Sequence, residues 1–179
     1  MVLSISITAP VSAQSSQSSQ AAFHPAKHPA EKWLARLLKR AEYDGSMVFY
    51  VVGAPFRDQR KDVNYHGLFS QSLEADWAAA EASEVDKNCG GRYIDGEICG
   101  LDFDPLVCGQ DVSEKGYLFH TDNIDENSAT ITMRWPWIEK PLATYRLRKL
   151  GKKWVLDGVA CLPDGPAFNM PVSGDTARQ

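Results

Sequence analysis

Four cysteines constrain this chain more than any other feature of its sequence. They are Cys89, Cys99, Cys108 and Cys161, an even number, and three of them fall within twenty residues. Two disulfides are the simplest interpretation, and the sequence leaves all three possible pairings open. Each bridge would contribute about 2–4 kcal/mol to the free energy of unfolding, mainly by restricting the unfolded chain. The cysteines therefore predict a cross-linked protein from an oxidising compartment.

A zinc site is the alternative use of four cysteines. No pair has the two-residue separation of a zinc finger, and the intervals of ten, nine and fifty-three residues match no such site. The histidines do not complete one, because His24 and His28 lie in the N-terminal stretch while His66 and His120 are isolated. We expect no metal and no cofactor.

The N-terminal stretch also indicates export. Residues 1–12 are apolar and hydroxylic without a charge, and Val11-Ser12-Ala13 offers the small residues that signal peptidase requires. A basic region and a longer apolar run are missing, which a start site placed too far downstream would explain; a disordered N-terminus is the alternative. No stretch reaches the ~18 apolar residues of a membrane span. We therefore predict a periplasmic or secreted protein without membrane insertion.

Composition and charge describe an ordinary globular protein with one domain. The chain has 179 residues, of which 44% are hydrophobic and 23% are charged, and its net charge is −4. A nucleic-acid-binding domain normally carries a basic surplus, so this balance argues against that partner. The basic run from Arg146 to Lys153 reads as the solvated face of a hairpin.

The order of apolar patterns predicts an α+β fold. Residues 1–13 are expected to be the remnant of a signal peptide, 14–28 a disordered linker, 29–162 the folded domain and 163–179 a flexible tail, in which Phe168 and Met170 could dock. Two to three N-terminal helices should pack on one face of a curved antiparallel sheet of about four strands. The pattern predicts helices from Pro29 towards Gly45 and from Ser70 to Ala82, a strand or a helical turn at 47–52, and strands beginning near Tyr117, Ser128, Thr144 and Trp154.

Three carboxylates in the cysteine-containing stretch are the best candidates for chemistry. They are Asp102, Asp104 and Asp111, in the sequence Leu-Asp-Phe-Asp-Pro-Leu followed by Gln-Asp. The stretch has no calcium-binding pattern, since alternate oxygen ligands, a central glycine and a closing glutamate are missing. Asp before Pro favours a turn in which the side chain bonds to its own backbone. We expect a structural role first, contact with a ligand or partner second, and catalysis last.

Trp135-Pro136-Trp137 is the best candidate for a binding face. On a strand the two indoles would share one face, and the proline between them indicates an edge or a bulge. If both indoles are buried they belong to the core, and if they are exposed they form an apolar binding patch. The sequence has no nucleophile elbow, phosphate-binding glycine loop or zinc-protease motif, and so we expect no enzyme.

A family resemblance lies in the motif from Leu101 to Asp111, in the later strand pattern and in the closing Trp154-Val155-Leu156-Asp157-Gly158-Val159. In these features the chain resembles a family of exported bacterial proteins, domain-of-unknown-function family 3828. The match covers about residues 31–162, although the four cysteines and the charged loop at 57–62 depart from the family pattern. The resemblance implies a cone similar to nuclear transport factor 2, in which a curved sheet wraps around helices. That fold hosts enzymes and binding proteins alike.

These observations lead to two hypotheses for function. The first is a non-catalytic exported binding or inhibitor protein, such as the immunity partner of a secreted toxin, with an exposed apolar or loop-borne surface for another protein. The alternative is a small-molecule binder or isomerase-like enzyme that uses the interior of the cone. It requires a cavity of several hundred cubic ångströms holding carboxylates with raised pKa values.

Overall fold

The computed structural model describes residues 22–45, 47–55 and 65–170, and within them helices precede an antiparallel sheet. The predicted α+β class is confirmed. The expected signal remnant at 1–13, residues 14–21 of the expected linker and the last nine residues of the expected tail lie outside the described residues. The helices are α1 (Pro29–Tyr43), α2 (Met47–Val51) and α3 (Gln71–Cys89), with a 3₁₀ turn at His66–Leu68; the strands are β1 (Leu118–Ile124), β2 (Ser128–Arg134), β3 (Ala143–Leu150), β4 (Lys153–Cys161) and β5 (Ala167–Phe168).

Helix α1 begins where its sequence predicts, because Pro29 follows a capping box. The imidazole of His28 accepts from the backbone N–H of Ala30, and the Glu31 carboxylate accepts from the backbone N–H of His28. Leucines at helical spacing bury one face of α1, among them Leu34 and Leu38. Glu31 also accepts from the hydroxyl of Thr121 at 2.6 Å, which ties the first turn of α1 to β1.

The other two helices show how local signals end a helix. Residues 47–51, where the sequence allowed a strand or a helical turn, form α2, which closes into a turn at Gly53 with φ +74°. Helix α3 starts where predicted, and Ser70 is its N-cap, since the Ser70 hydroxyl accepts from the backbone of Leu73. It runs past the expected end at Ala82 to Cys89 and stops at Gly90, which takes the left-handed conformation of a C-terminal cap.

The five strands lie in the order β1-β2-β3-β4-β5, each antiparallel to the next. The sheet therefore has one strand more than the four expected. The additional strand, β5, comes from the stretch predicted to be a flexible tail, because Phe168 pairs with Val159 and its ring packs against Trp77. Burial of that ring supplies the free energy that orders the segment.

The N-terminal boundary of the fold also differs from the prediction. Residues 22–28, expected to be part of a linker, are placed against β1: the backbone of His24 exchanges two hydrogen bonds with Phe119. The ring of Phe23 packs on His120 and lies under the Arg134 guanidinium. Backbone pairing along an open strand edge thus extends the ordered domain before Pro29.

Side chains fill the space between the helices and the sheet. On β2, Ala129, Ile131 and Met133 face this core, while the threonines and Arg134 between them face outward. Fully buried residues from both layers meet there: Leu34, Leu38, Leu73, Trp77, Phe119, Ile131, Met133, Tyr145 and Leu147. Because these residues interdigitate, the sheet and the helices behave as one body, to which the remaining segment is attached.

Candidate functional site

The predicted disulfides are confirmed, and the structure selects one of the three pairings. Cys89 bonds to Cys99, and Cys108 bonds to Cys161. Both bridges fasten residues 90–117, called here the cross-linked segment, which contains neither helix nor strand. The first bridge joins the segment to the end of α3, and the second joins it to the end of β4. The segment is therefore held at two points of the body.

The Cys89–Cys99 loop presents two isoleucines to solvent. Its tip is a turn in which the backbone of Glu97 donates to the carbonyl of Ile94, and Gly96 supplies the positive φ of +83° that such a turn needs. The side chain of Ile94 is 41% exposed and that of Ile98 is 74% exposed. A ten-residue disulfide loop thus displays large apolar side chains in a restricted conformation.

A buried carboxylate holds the base of this loop. Glu81 of α3 is only 4% exposed and accepts from the Tyr93 hydroxyl at 2.7 Å and from the backbone of Leu101 at 2.8 Å. Burial raises the pKa of Tyr93, and the hydrogen bond to Glu81 and its charge raise it further, so the phenol stays a donor. Gly100 lies directly on the carboxylate, where a Cβ atom would overlap it. These contacts fix both ends of the loop on α3.

An open groove lies between α3 and the cross-linked segment. Its volume is about 950 Å³, and it is called the α3 groove below. Apolar and polar side chains share its lining: Ala80, Ile98, Leu101, Phe103, Pro166 and Phe168 are apolar, and Ser83, Glu84, Lys87, Asn88 and Asp102 are polar or charged. A groove that mixes apolar and polar side chains in this way has the composition of a protein-binding surface.

The three predicted carboxylates have different surroundings. Asp104 closes the turn that its sequence predicts, since its carboxylate accepts from the backbone of Leu106 at 2.7 Å and its backbone pairs with Gly109. Asp102 is exposed and lines the α3 groove, and Asp111 is exposed. The structure thus gives Asp104 a local hydrogen bond within the turn and places Asp102 beside the α3 groove, and the two carboxylates also line a second open recess of about 350 Å³.

The two predicted indoles lie beside each other but not on a strand. Strand β2 ends at Arg134, before the proline, and Trp135 and Trp137 lie in the following turn with ring centroids 5.3 Å apart. Trp135 packs against the core, whereas Trp137 is 49% exposed with the Lys115 ammonium 5.7 Å from its ring centre. The pair is therefore half core and half surface, and Pro136 explains why the strand ends early.

The two interior carboxylates whose pKa values shift do not resemble a general base. Burial raises the pKa of Glu31, but hydrogen bonds from Thr121, His28 and Lys27 outweigh it and bring the pKa below its usual value. At Asp157, burial also raises the pKa, but the hydrogen bond from Ser70 and the two arginines outweigh burial and bring the pKa below its usual value. Both groups therefore stay ionised near neutral pH, and both are occupied by structural partners.

Sequence reasoning missed the residues that give this region its surface. Ile94, Ile98 and Glu81 follow no periodic pattern, because the first two lie in an irregular loop and the third interrupts an otherwise apolar helix face. The available signal was two isoleucines between cysteines, in a stretch too rich in glycine to form a strand. Isolated apolar residues in such a loop have no core partner within reach.

Within the described residues, no helix is long and apolar enough to cross a membrane, and no three histidine, cysteine or carboxylate side chains are grouped to hold a metal ion. No protein-family model matches this chain, and neither a curated protein nor a solved structure shows significant similarity to it.

Proposed function

We propose that this chain is a non-catalytic exported protein that binds another protein through the cross-linked segment and the α3 groove. The observation that carries the proposal is the exposure of Ile94 and Ile98 on a disulfide-bonded loop. Exposed apolar side chains cost solubility, and a restricted loop loses little conformational entropy when it binds. Both properties suit an anchor that inserts into a partner.

The second support is the packing of the interior. A small-molecule binder or isomerase-like enzyme needs an internal cavity, yet leucine, tryptophan and other core side chains fill the space between the helices and the sheet in the described residues. The α3 groove opens on the outside of that core instead. Its open form and its mixed apolar and polar lining favour a macromolecular partner over a small substrate.

Export and family are part of the same proposal. Two disulfides are consistent with a periplasmic or extracellular protein. The resemblance to domain-of-unknown-function family 3828, and with it a cone like that of nuclear transport factor 2, is supported by the order of helices followed by an antiparallel meander. An immunity partner of a secreted toxin is the role that combines export, a rigid binding loop and no catalytic motif.

A capture experiment with matched variants tests the proposal. Three tagged proteins are exposed to periplasmic extract from the native host: the wild type, the double variant Ile94→Ser/Ile98→Ser and the control variant Leu150→Ser. Leu150 serves as the control because it is 49% exposed on the distant β3–β4 hairpin. We expect one protein to be retained by the wild type and by the control, and its retention to fall at least about tenfold in the double variant.

Co-expression provides a second measurement. A toxin encoded beside this protein should be neutralised by the wild type and by Leu150→Ser, and much less by the double isoleucine variant. Thermal unfolding of all three proteins checks that the fold is unchanged. If nothing is retained from the extract and no neighbouring toxin is neutralised, or if the double variant behaves like the wild type, the proposed function is wrong.

A further inference from the structure

Negative charge is concentrated around the α3 groove. Residues 81–111 contain eight carboxylates and two cationic side chains, a net charge of −6, whereas the whole chain carries −4. The rest of the chain is therefore net positive by two charges. This segment contains the end of α3, the isoleucine loop and the carboxylates near the groove, so the charge follows the proposed binding surface.

The carboxylates on this surface are largely unneutralised. Asp95 and Glu97 flank the tip of the loop, and Asp102 lines the groove; all three are exposed, and none forms a salt bridge with a described residue. Glu84 in the groove lining is the exception, with Lys87 at 3.1 Å. Like charges held close together repel one another, and a partner of opposite charge relieves that repulsion.

Charged and apolar side chains are close neighbours along the loop. Asp95 and Glu97 lie between Ile94 and Ile98, so any surface that covers the isoleucines also comes within a few ångströms of both carboxylates. Interfaces commonly place apolar anchors at the centre and charges at the rim, where the charges set the association rate and the choice of partner. A neutral or acidic partner would leave these carboxylates facing apolar or like-charged groups.

We propose that the partner is a protein with a basic surface around an apolar recess, which receives Ile98 and pairs Lys or Arg with Asp95, Glu97 and Asp102. This inference rests on the proposed function and specifies the chemistry of the partner. Charge complementarity is its basis, and it excludes polyanions and anionic membranes as occupants of this face.

A second copy of the chain is the competing occupant, since residues 134–153 carry seven cations and one carboxylate. However, two of those cations are already engaged: Arg146 and Arg148 bond to Asp157 at 3.0 and 2.8 Å. Docking the acidic face of one copy on the basic face of the next would also be head-to-tail, which yields open chains unless the rotation closes. A different basic protein fits the observations better.

An unbiased peptide library provides the probe. Random twelve-residue peptides displayed on phage are selected on the immobilised full-length protein at low salt. We expect enriched sequences in which Lys or Arg flanks Leu, Ile or Phe. Binding of the synthesised peptides should weaken about tenfold or more in Asp95→Lys/Glu97→Lys and in 0.5 M NaCl, because screening and charge reversal remove the same attraction.

The matched control is Glu126→Lys/Glu139→Lys, which changes net charge equally at exposed positions on the β1–β2 turn and beside Trp137. We expect less than a twofold effect there. Both charge variants are also tested for binding to any partner captured from the extract. The association rate should fall about ten- to a hundredfold for Asp95→Lys/Glu97→Lys and stay unchanged for the control variant.

Five results would overturn the inference. The basic partner is refuted, and the proposed function stays intact, in three of these cases. Either the selected peptides have no basic bias, or no sequences are enriched at all, or binding requires Ile94 and Ile98 but does not respond to charge reversal and salt. Binding that ignores the isoleucines as well would refute both. A salt-sensitive dimer in analytical ultracentrifugation, lost in Asp95→Lys/Glu97→Lys, would assign the face to a second copy instead.

Discussion

The body and the cross-linked segment are stabilised in different ways. In the body, helices and strands satisfy their own backbone groups and bury a continuous apolar core. The cross-linked segment has no regular secondary structure. Its later part reaches the main core through Leu106, Val107 and Tyr117, and Leu101 packs with Phe49 and Ala54 in a smaller cluster, whereas residues 90–100 add no side chain to the main core. Two disulfides fasten the segment to the body, and the buried Glu81 carboxylate holds the part around residues 90–101 that the main core does not reach.

This difference explains how a small domain keeps an irregular surface in one conformation. A loop of nearly thirty residues without secondary structure would normally sample many conformations, at a cost in affinity for any partner. Because the disulfides restrict the loop when the protein folds, its conformational entropy is already lost before binding. The isoleucines are therefore in position when a partner arrives. Removing the stabilising elements one by one should therefore separate the stability of the body from the order of the segment.

The largest effect is expected from the bridge between segment and sheet. Cys108→Ser/Cys161→Ser opens a closure of 53 residues, for which loop entropy corresponds to about 4 kcal/mol of unfolding free energy. We expect the melting temperature, followed by circular dichroism, to fall by about 15 °C. Wild-type protein with intact disulfides is the reference; a fall of only a few degrees would show that the body does not depend on this bridge.

The second bridge should have a smaller and more local effect. Cys89→Ser/Cys99→Ser opens a closure of only ten residues, worth about 3 kcal/mol by the same entropy argument. We expect hydrogen exchange to accelerate in residues 90–100 while amides of β2 and β3 keep their protection. Equal acceleration in the sheet would mean that the loop and the body unfold as one unit and are not stabilised separately.

The next largest effect is expected from loss of the buried Glu81 carboxylate. Glu81→Ala leaves the Leu101 amide and the Tyr93 hydroxyl without their acceptor, at a cost of about 2 kcal/mol. Glu84→Ala, one turn further along α3 and in the groove lining, is the control and should cost less than about 0.5 kcal/mol. Urea unfolding of the two variants measures the difference, and similar midpoints would show that Glu81 is not the anchor of the segment.

The difference between the body and the cross-linked segment also decides what could be predicted from the sequence. Helix α1, the start of α3 and most of the sheet were predictable because caps and hydrophobic periodicity are local signals, as at Pro29, Ser70 and Ile131. The pairing of the cysteines was not, since it depends on which loop meets the end of β4. The strand formed by Phe168 was missed for a similar reason: two residues carry no periodicity, and only the ring of Trp77 across the fold orders them.

The smallest effect is expected from a second buried carboxylate, Glu31, which lies in the body as Glu81 lies at the segment and is 1% exposed. Its pKa lies below the usual value of 4.5, because hydrogen bonds from Thr121 and the backbone of His28 outweigh the effect of burial. Its ionised form therefore stabilises the fold above about pH 4.5, and that contribution is lost as the pH falls through the lowered pKa.

Glu31→Gln exchanges a carboxylate oxygen for an amide N–H group beside donors. We expect it to lower the free energy of unfolding by about 1 kcal/mol at pH 7, and the difference from wild type to shrink as the pH falls below 4.5. Glu126→Gln, exposed on the β1–β2 turn, is the control. Hydrogen exchange in residues 90–100 should stay unchanged, because Glu31 joins α1 to β1 and has no contact with the segment. A stability difference that persists undiminished at pH 3 would show that the charge of Glu31 contributes nothing.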